Sequence, residues 1–162
     1  MKGGLNVGFN MFLYYGIKIL LPILFAYAYM KYKRAKSIDN TLELKLKGRS
    51  KIEFYLSILL SIAYIAYPVS KSMQGTAVFI GSLIFLYAYL VLERLVAVGR
   101  KVIFAKFLAF EVRMINEYGY RNGRFEFFIR GGRIKVLLPI ADVQHLQEML
   151  SGSRRKSRGR RL

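Results

Sequence analysis

The sequence predicts a two-part membrane fold. An all-α N-terminal part of three transmembrane helices is followed by a small cytoplasmic α+β module, a β-hairpin-containing sheet closed by a C-terminal amphipathic helix. Three observations predict it. Hydrophobic residues make up 54% of the chain while the net charge is +18, and a soluble domain so apolar would expose large sticky patches. The apolar residues gather in three N-terminal stretches, and the charges collect between and after them. Beyond residue 98 the pattern changes from long apolar runs to short alternating ones.

The expected transmembrane domain covers residues 1–98, with spans at about 11–30, 54–70 and 72–95 and a basic cytoplasmic loop at 31–53. The third span is the cleanest, because roughly twenty uncharged residues suffice to cross ~30 Å of hydrocarbon. The second sits near the short end of the spanning range, with Pro68 near its far end. The first carries Lys18 and Pro22 within its apolar run. Pro22 predicts a kink. Lys18 allows two readings: a lysine snorkelling to the outer interface, or a pathway or partner residue facing a protein interior. Ala26 and Ala28 imitate a signal-peptidase site, but cleavage there would export Lys31, Lys33, Arg34 and Lys36. The segment therefore reads as a retained span.

Charge sets the orientation. The loop 31–53 carries eight basic residues against Asp39, Glu43 and Glu53, whereas only Lys71 lies between the second and third stretches. The positive-inside rule then puts that loop and the C-terminus in the cytoplasm and the N-terminus outside, as a multi-pass protein of the cell membrane. Tyr14, Tyr15, Tyr27, Tyr29, Tyr32, Tyr55, Tyr67, Tyr87 and Tyr89 cluster near the proposed span ends, as aromatic belts do.

The module is expected over 99–151. Residues 101–105 and 107–114 are short and rich in Val, Ile and Phe, as strands are. Residues 124–130 (RFEFFIR) and 133–139 (RIKVLLP) flank Gly131-Gly132, which predicts a hairpin with Ile129 opposite Ile134, Phe127 opposite Val136 and Phe125 opposite Leu138. Asn122-Gly123 marks another turn. Ile140, Val143, Leu146 and Leu150 recur at helical spacing, with Asp142 suited to the helix start. Residues 152–162 are polar and basic and read as a disordered tail.

Spans followed by a strand FLAFEV at residues 107–112, a hairpin at Gly131-Gly132 and a closing helix over 140–150 resemble the small bacterial multi-span membrane proteins with a C-terminal pleckstrin-homology-like domain of unknown function. The resemblance covers the last third of the chain. Phe110 stands where that family carries a tryptophan. Most such proteins have no assigned activity, so the resemblance implies a fold more than a role.

No catalytic, metal or cofactor motif is present in the sequence. Cysteine is absent, which excludes disulfides and thiolate chemistry. No phosphate-binding loop, HExxH or GxSxG occurs. Glu117 reads as a solvated loop charge and His145 as an exposed side chain. Neither a cofactor nor a small-molecule substrate is inferred. The basic clusters predict contacts to anionic lipid or phosphate: Lys31, Lys33, Arg34 and Lys36 in the loop, and Arg154, Arg155, Lys156, Arg158, Arg160 and Arg161 in the tail. Ser57, Ser61 and Gly81-Ser82 offer small surfaces for packing of the second and third helices. The expected role is a non-enzymatic anchored interaction module, an accessory or protective subunit of a larger membrane assembly with a membrane-protein partner. The alternatives are a tether for RNA or ribosomes through the arginine-rich tail and a small transport component using Lys18.

Overall fold

The computed structural model describes residues 3–70, 73–129 and 132–158. Three helices come first: α1 (Gly3–Ile38), α2 (Arg49–Ala66) and α3 (Gln74–Glu93). Six strands follow, β1 (Val96–Val98), β2 (Val102–Ala105), β3 (Leu108–Glu111), β4 (Ile115–Arg121), β5 (Arg124–Ile129) and β6 (Gly132–Leu137), and then α4 (Val143–Arg158). Among the described residues two helices are long and apolar enough to cross a membrane, Gly8–Ile38 of α1 and Gln74–Glu93. The second expected span, α2, opens with Arg49, Lys51 and Glu53, and only its remainder is uncharged.

α1 is 36 residues long, about 54 Å at 1.5 Å per residue, and its helical assignment runs through Pro22. Much of the expected loop at 31–53 is helical: α1 continues to Ile38 and α2 begins at Arg49. Tyr32 and Ala35 extend the apolar stripe of α1, and the intervening lysines and arginine are good helix formers. α2 ends at Ala66, and Tyr67 turns extended at φ −75° and ψ 119° because Pro68 follows it.

α1 and α3 run in the same direction, with Tyr14, Leu21, Ala77 and Ala88 buried between the helices. α2 returns between them in sequence and packs on α3 through a close approach. The Tyr64 side chain fills the space where a Cβ on Gly81 would stand, and its hydroxyl donates to the Ala77 carbonyl at 3.2 Å. Ser57 and Ser61 are buried and bond back to the carbonyls of Phe54 and Ser57. The small residues therefore serve packing within the chain, except Ser82, which is exposed.

The strands form two antiparallel three-stranded sheets, ordered β1-β2-β3 and β4-β5-β6. In the first, β1 and β2 are covered on both faces while β3 is largely exposed. Ala97, Val102 and Phe104 meet Ala35 of α1 and Leu42. Val96, Val98, Ile103 and Ala105 meet Phe125, Phe127 and Val136 of the second sheet together with Leu146 and Leu150 of α4. Burial on both sides explains why VAV and VIFA read as continuous apolar runs rather than alternations. β1 begins directly after the expected third span, inside the 1–98 region expected to be the transmembrane domain. β4, INEYGYR, carries too few apolar residues to announce itself and is largely exposed; Glu117 accordingly sits exposed on a strand, not in a loop.

The β5–β6 hairpin forms with a register two residues from the expected one. Phe125 faces Val136, Phe127 faces Ile134 and Ile129 faces Gly132. A shift of two keeps every side chain on its own face, so hydrophobic patterning cannot distinguish the two registers. The connection is thus made by residues 130 and 131, which lie outside the described residues, and Gly132 belongs to β6. Asp142 caps α4, its carboxylate accepting from the Gln144 N–H at 3.2 Å. Ile140 leaves the expected helical stripe to bridge Leu95. α4 also continues past Leu150 to Arg158, where arginine and lysine favour helix, so a disordered tail does not begin at residue 152. His145 is half-buried rather than exposed, and its Nε2 is enclosed without a partner among the described residues.

Candidate functional site at the helix–module junction

The polar chemistry of the chain converges where the helices meet the sheets. The first element is Asp39, just beyond α1. It is 4% exposed, and both its oxygens are occupied. Oδ1 accepts from the Thr41 N–H at 3.0 Å and the Thr41 hydroxyl at 2.5 Å. Oδ2 accepts from the N–H groups of Lys101 at 2.5 Å and Val102 at 3.1 Å. The Arg100 N–H in turn donates to the Thr41 hydroxyl oxygen at 2.8 Å. Burial pushes the Asp39 carboxyl up. The Thr41 hydroxyl and the N–H groups of Lys101, Thr41 and Val102 outweigh that and hold its pKa below the usual carboxylate value. This carboxylate ties the end of α1 to the β1–β2 turn.

The second element is a knot around Arg94, one residue past α3. Its guanidinium donates to Glu53 of α2 at 2.6 Å and to the Leu138 carbonyl at 2.8 Å. Arg49 reaches the other Glu53 oxygen at 2.9 Å. The Arg94 carbonyl accepts from the Ile140 N–H at 2.7 Å, and the Lys45 carbonyl from the Asp142 N–H at 2.8 Å. Helices α2 and α3 and the segment before α4 are thereby fastened together. The third element is the β2–β3 turn, Lys106-Phe107. Both residues have positive φ, 50° and 61°. Phe107 lies between Tyr27 of α1 and Tyr89 of α3, with ring centroids 5.8 and 6.1 Å away, while Lys106 reaches Glu93 at 3.5 Å.

The residues singled out from sequence are dispersed. Lys18 lies at the opposite end of the helices. Its ammonium donates to the Tyr67 carbonyl at 3.0 Å beside the Tyr14 hydroxyl at 2.9 Å, and it sits 4.6 Å from the centre of the Tyr14 ring. A cation on the last carbonyls of α2 complements that helix end. Lys33, Arg34 and Lys36 are exposed on the last turns of α1, and Lys31 lies 5.3 Å from the centre of the Tyr27 ring. Arg154, Arg155, Lys156 and Arg158 fall within α4. Arg160 and Arg161 lie outside the described residues.

Sequence reasoning overlooked Asp39, Glu53 and Arg94, counting them only as charges. Asp39-Asn40-Thr41 after a helix is a turn signal that marked the first. Nothing local marks a pairing of Glu53 with Arg94. Glu93 pairs with Lys106, not with its sequence neighbour Arg94, whereas Glu111 pairs with the nearby Arg113. Among the described residues no group of three or more His, Cys, Asp or Glu is arranged to hold a metal. Comparison with protein-family models, with curated proteins and with solved structures returns no match.

Proposed function

We propose that the chain is a three-span membrane protein that holds a small cytoplasmic β module in a fixed orientation at the bilayer, acting without catalysis as an accessory or protective subunit of a larger membrane assembly. The observation that carries the proposal is the outward face of the helices. Phe12 is 75% exposed, Phe79 65% and Leu59 63%, whereas Phe125 and Phe127 of the module are fully buried. A chain that buries Phe125 and Phe127 in one half and displays Phe12 and Phe79 in the other is suited to two solvents.

Parity supports α2 as the third span. The C-terminal ends of α1 and α3 both meet the first sheet, α1 through Asp39 and α3 by leading directly into β1. If α1 and α3 cross the bilayer in the same direction, the chain between them must return, and among the described residues α2 is the helix that lies there. With Arg49, Lys51 and Glu53 at the interface, its uncharged residues 54–66 cover about 20 Å of helix, and the uncharged, non-helical stretch 67–70 carries the chain further across. The charge bias puts the module inside.

Two measurements test this. The expressed chain should stay in the membrane pellet after an alkaline carbonate wash, and a tag after Leu162 should be labelled only in permeabilised cells. Purification in mild detergent should bring down a stoichiometric membrane-protein partner. Release by carbonate sinks the membrane reading; a chain that purifies alone sinks the subunit reading.

A further inference from the structure

A pocket of about 340 Å³ lies beside the end of α3, lined by Leu90, Glu93, Arg94, Lys106, Arg124, Lys135, Val136 and Leu137. Four of these are cationic and one is acidic. They come from four places in the chain: the end of α3, the β2–β3 turn, the start of β5 and β6. None belongs to the basic clusters visible in the sequence. We propose that this pocket binds the phosphate of an anionic phospholipid at the headgroup level of the membrane face that carries the module. The proposal rests on the membrane reading above.

The cations are not equivalent. Arg94 is held by Glu53 and the Leu138 carbonyl and forms a fixed positive wall. Lys106 and Lys135 are held loosely, by Glu93 at 3.5 Å and Glu126 at 3.8 Å, and their side chains are 41% and 47% exposed. Arg124 is exposed and has no ion-pair partner among the described residues. Two lysines that can turn and one free guanidinium suit a phosphate, whose oxygens accept several charge-assisted bonds at once.

The apolar lining selects the source of that phosphate. Leu90 lies on the last turn of a helix suited to crossing the bilayer and is 44% exposed, and Leu137 is 55% exposed beside Arg124, its partner across the hairpin. A soluble phosphate ester leaves both leucines in water. A lipid covers them with its glycerol and first methylenes. The depth fixes a lipid, since the pocket begins where α3 reaches its last uncharged residues.

The test uses the full chain, purified in mild detergent and offered mixed micelles of phosphatidylglycerol and phosphatidylcholine. Retained lipid is counted by native mass spectrometry. The wild type should retain phosphatidylglycerol in preference, and Lys106→Gln with Arg124→Gln and Lys135→Gln should reduce that preference about a hundredfold, at ~1 kcal/mol per cation. Arg124→Gln alone leaves no charge unpaired, so its several-fold loss reads the pocket even if the triple variant unfolds. Arg100→Gln with Lys101→Gln and Arg113→Gln removes equal charge from exposed positions of the module outside the pocket and should have little effect. Equal loss in both triple variants overturns the pocket in favour of diffuse surface charge. Displacement of the lipid by millimolar glycerol phosphate overturns the lipid in favour of a soluble ester. A chain that stays in carbonate-washed membranes yet shows no preference refutes the pocket alone; a chain released by carbonate removes the membrane reading first.

Discussion

Two hairpins of the β module turn on a pair of residues with positive φ, and they reach that conformation by opposite means. At the β4–β5 turn the pair is Asn122-Gly123, at φ 50° and 72°, where the two residue types that best tolerate the left-handed region stand side by side. At the β2–β3 turn the pair is Lys106-Phe107, neither of which favours it. Such residues cost on the order of 1–3 kcal/mol each and persist only where their surroundings over-determine them. Here the surroundings are Tyr27, Tyr89 and Glu93, all on α1 and α3. One turn is made by its own sequence, and the other is imposed by the helices. Strain in the module is thus concentrated at its seam with the helices.

The largest expected effect comes from releasing the imposed side at its anchor. Asp39→Ala leaves the buried N–H groups of Lys101 and Val102 without an acceptor and should cost about 3 kcal/mol, read as a lower thermal midpoint in detergent by circular dichroism. The same anchor predicts a pH dependence. Its folded pKa lies below the unfolded one, so its contribution is fully present above the unfolded carboxylate pKa and is lost as pH falls through the folded value. Acid unfolding should accordingly set in at the same pH for wild type and Glu117→Gln, and lose that component in Asp39→Asn. Next, Phe107→Ala should cost about 2 kcal/mol through lost ring contacts and should raise hydrogen exchange at β2 and β3 before β5 and β6. Gly123→Ala should cost about 1 kcal/mol and loosen only the β4–β5 end, where the new methyl group also meets Leu138. The smallest net change should follow Lys106→Asn with Phe107→Gly. The turn then becomes locally favourable while its contact with the helices disappears, so stability should move by under about 1 kcal/mol while exchange at the seam accelerates. A large loss in that variant would show that the turn is not strained.

This contrast also explains which parts of the molecule could be read in advance. Asn122-Gly123 and the RFEFFIR alternation carry their structure locally, and both were legible. The β5–β6 register was not, because a slip of two residues preserves both faces. β1 hid inside an apolar run because α1 covers its second face. The charged residues that join the parts were opaque for another reason. Asp39 meets Lys101 across 62 residues and Glu53 meets Arg94 across 41, and no periodic pattern reports contacts at that separation. Lys18 announced itself only as an oddity; its partner, a carbonyl freed by Pro68, lies 49 residues away.

The same separation has a consequence for how the chain is made. Asp39 leaves the ribosome 62 residues before Lys101, the backbone donor it needs. At roughly 5–20 residues per second, that delay is several seconds. The end of α1 therefore waits with Oδ1 of Asp39 held by Thr41 and Oδ2 still without its backbone donors while α2 and α3 are being synthesised. The first sheet then condenses onto a helix already in place, so biogenesis runs from helices to sheets, and a ribosome stalled before residue 101 should leave α1 without its lock.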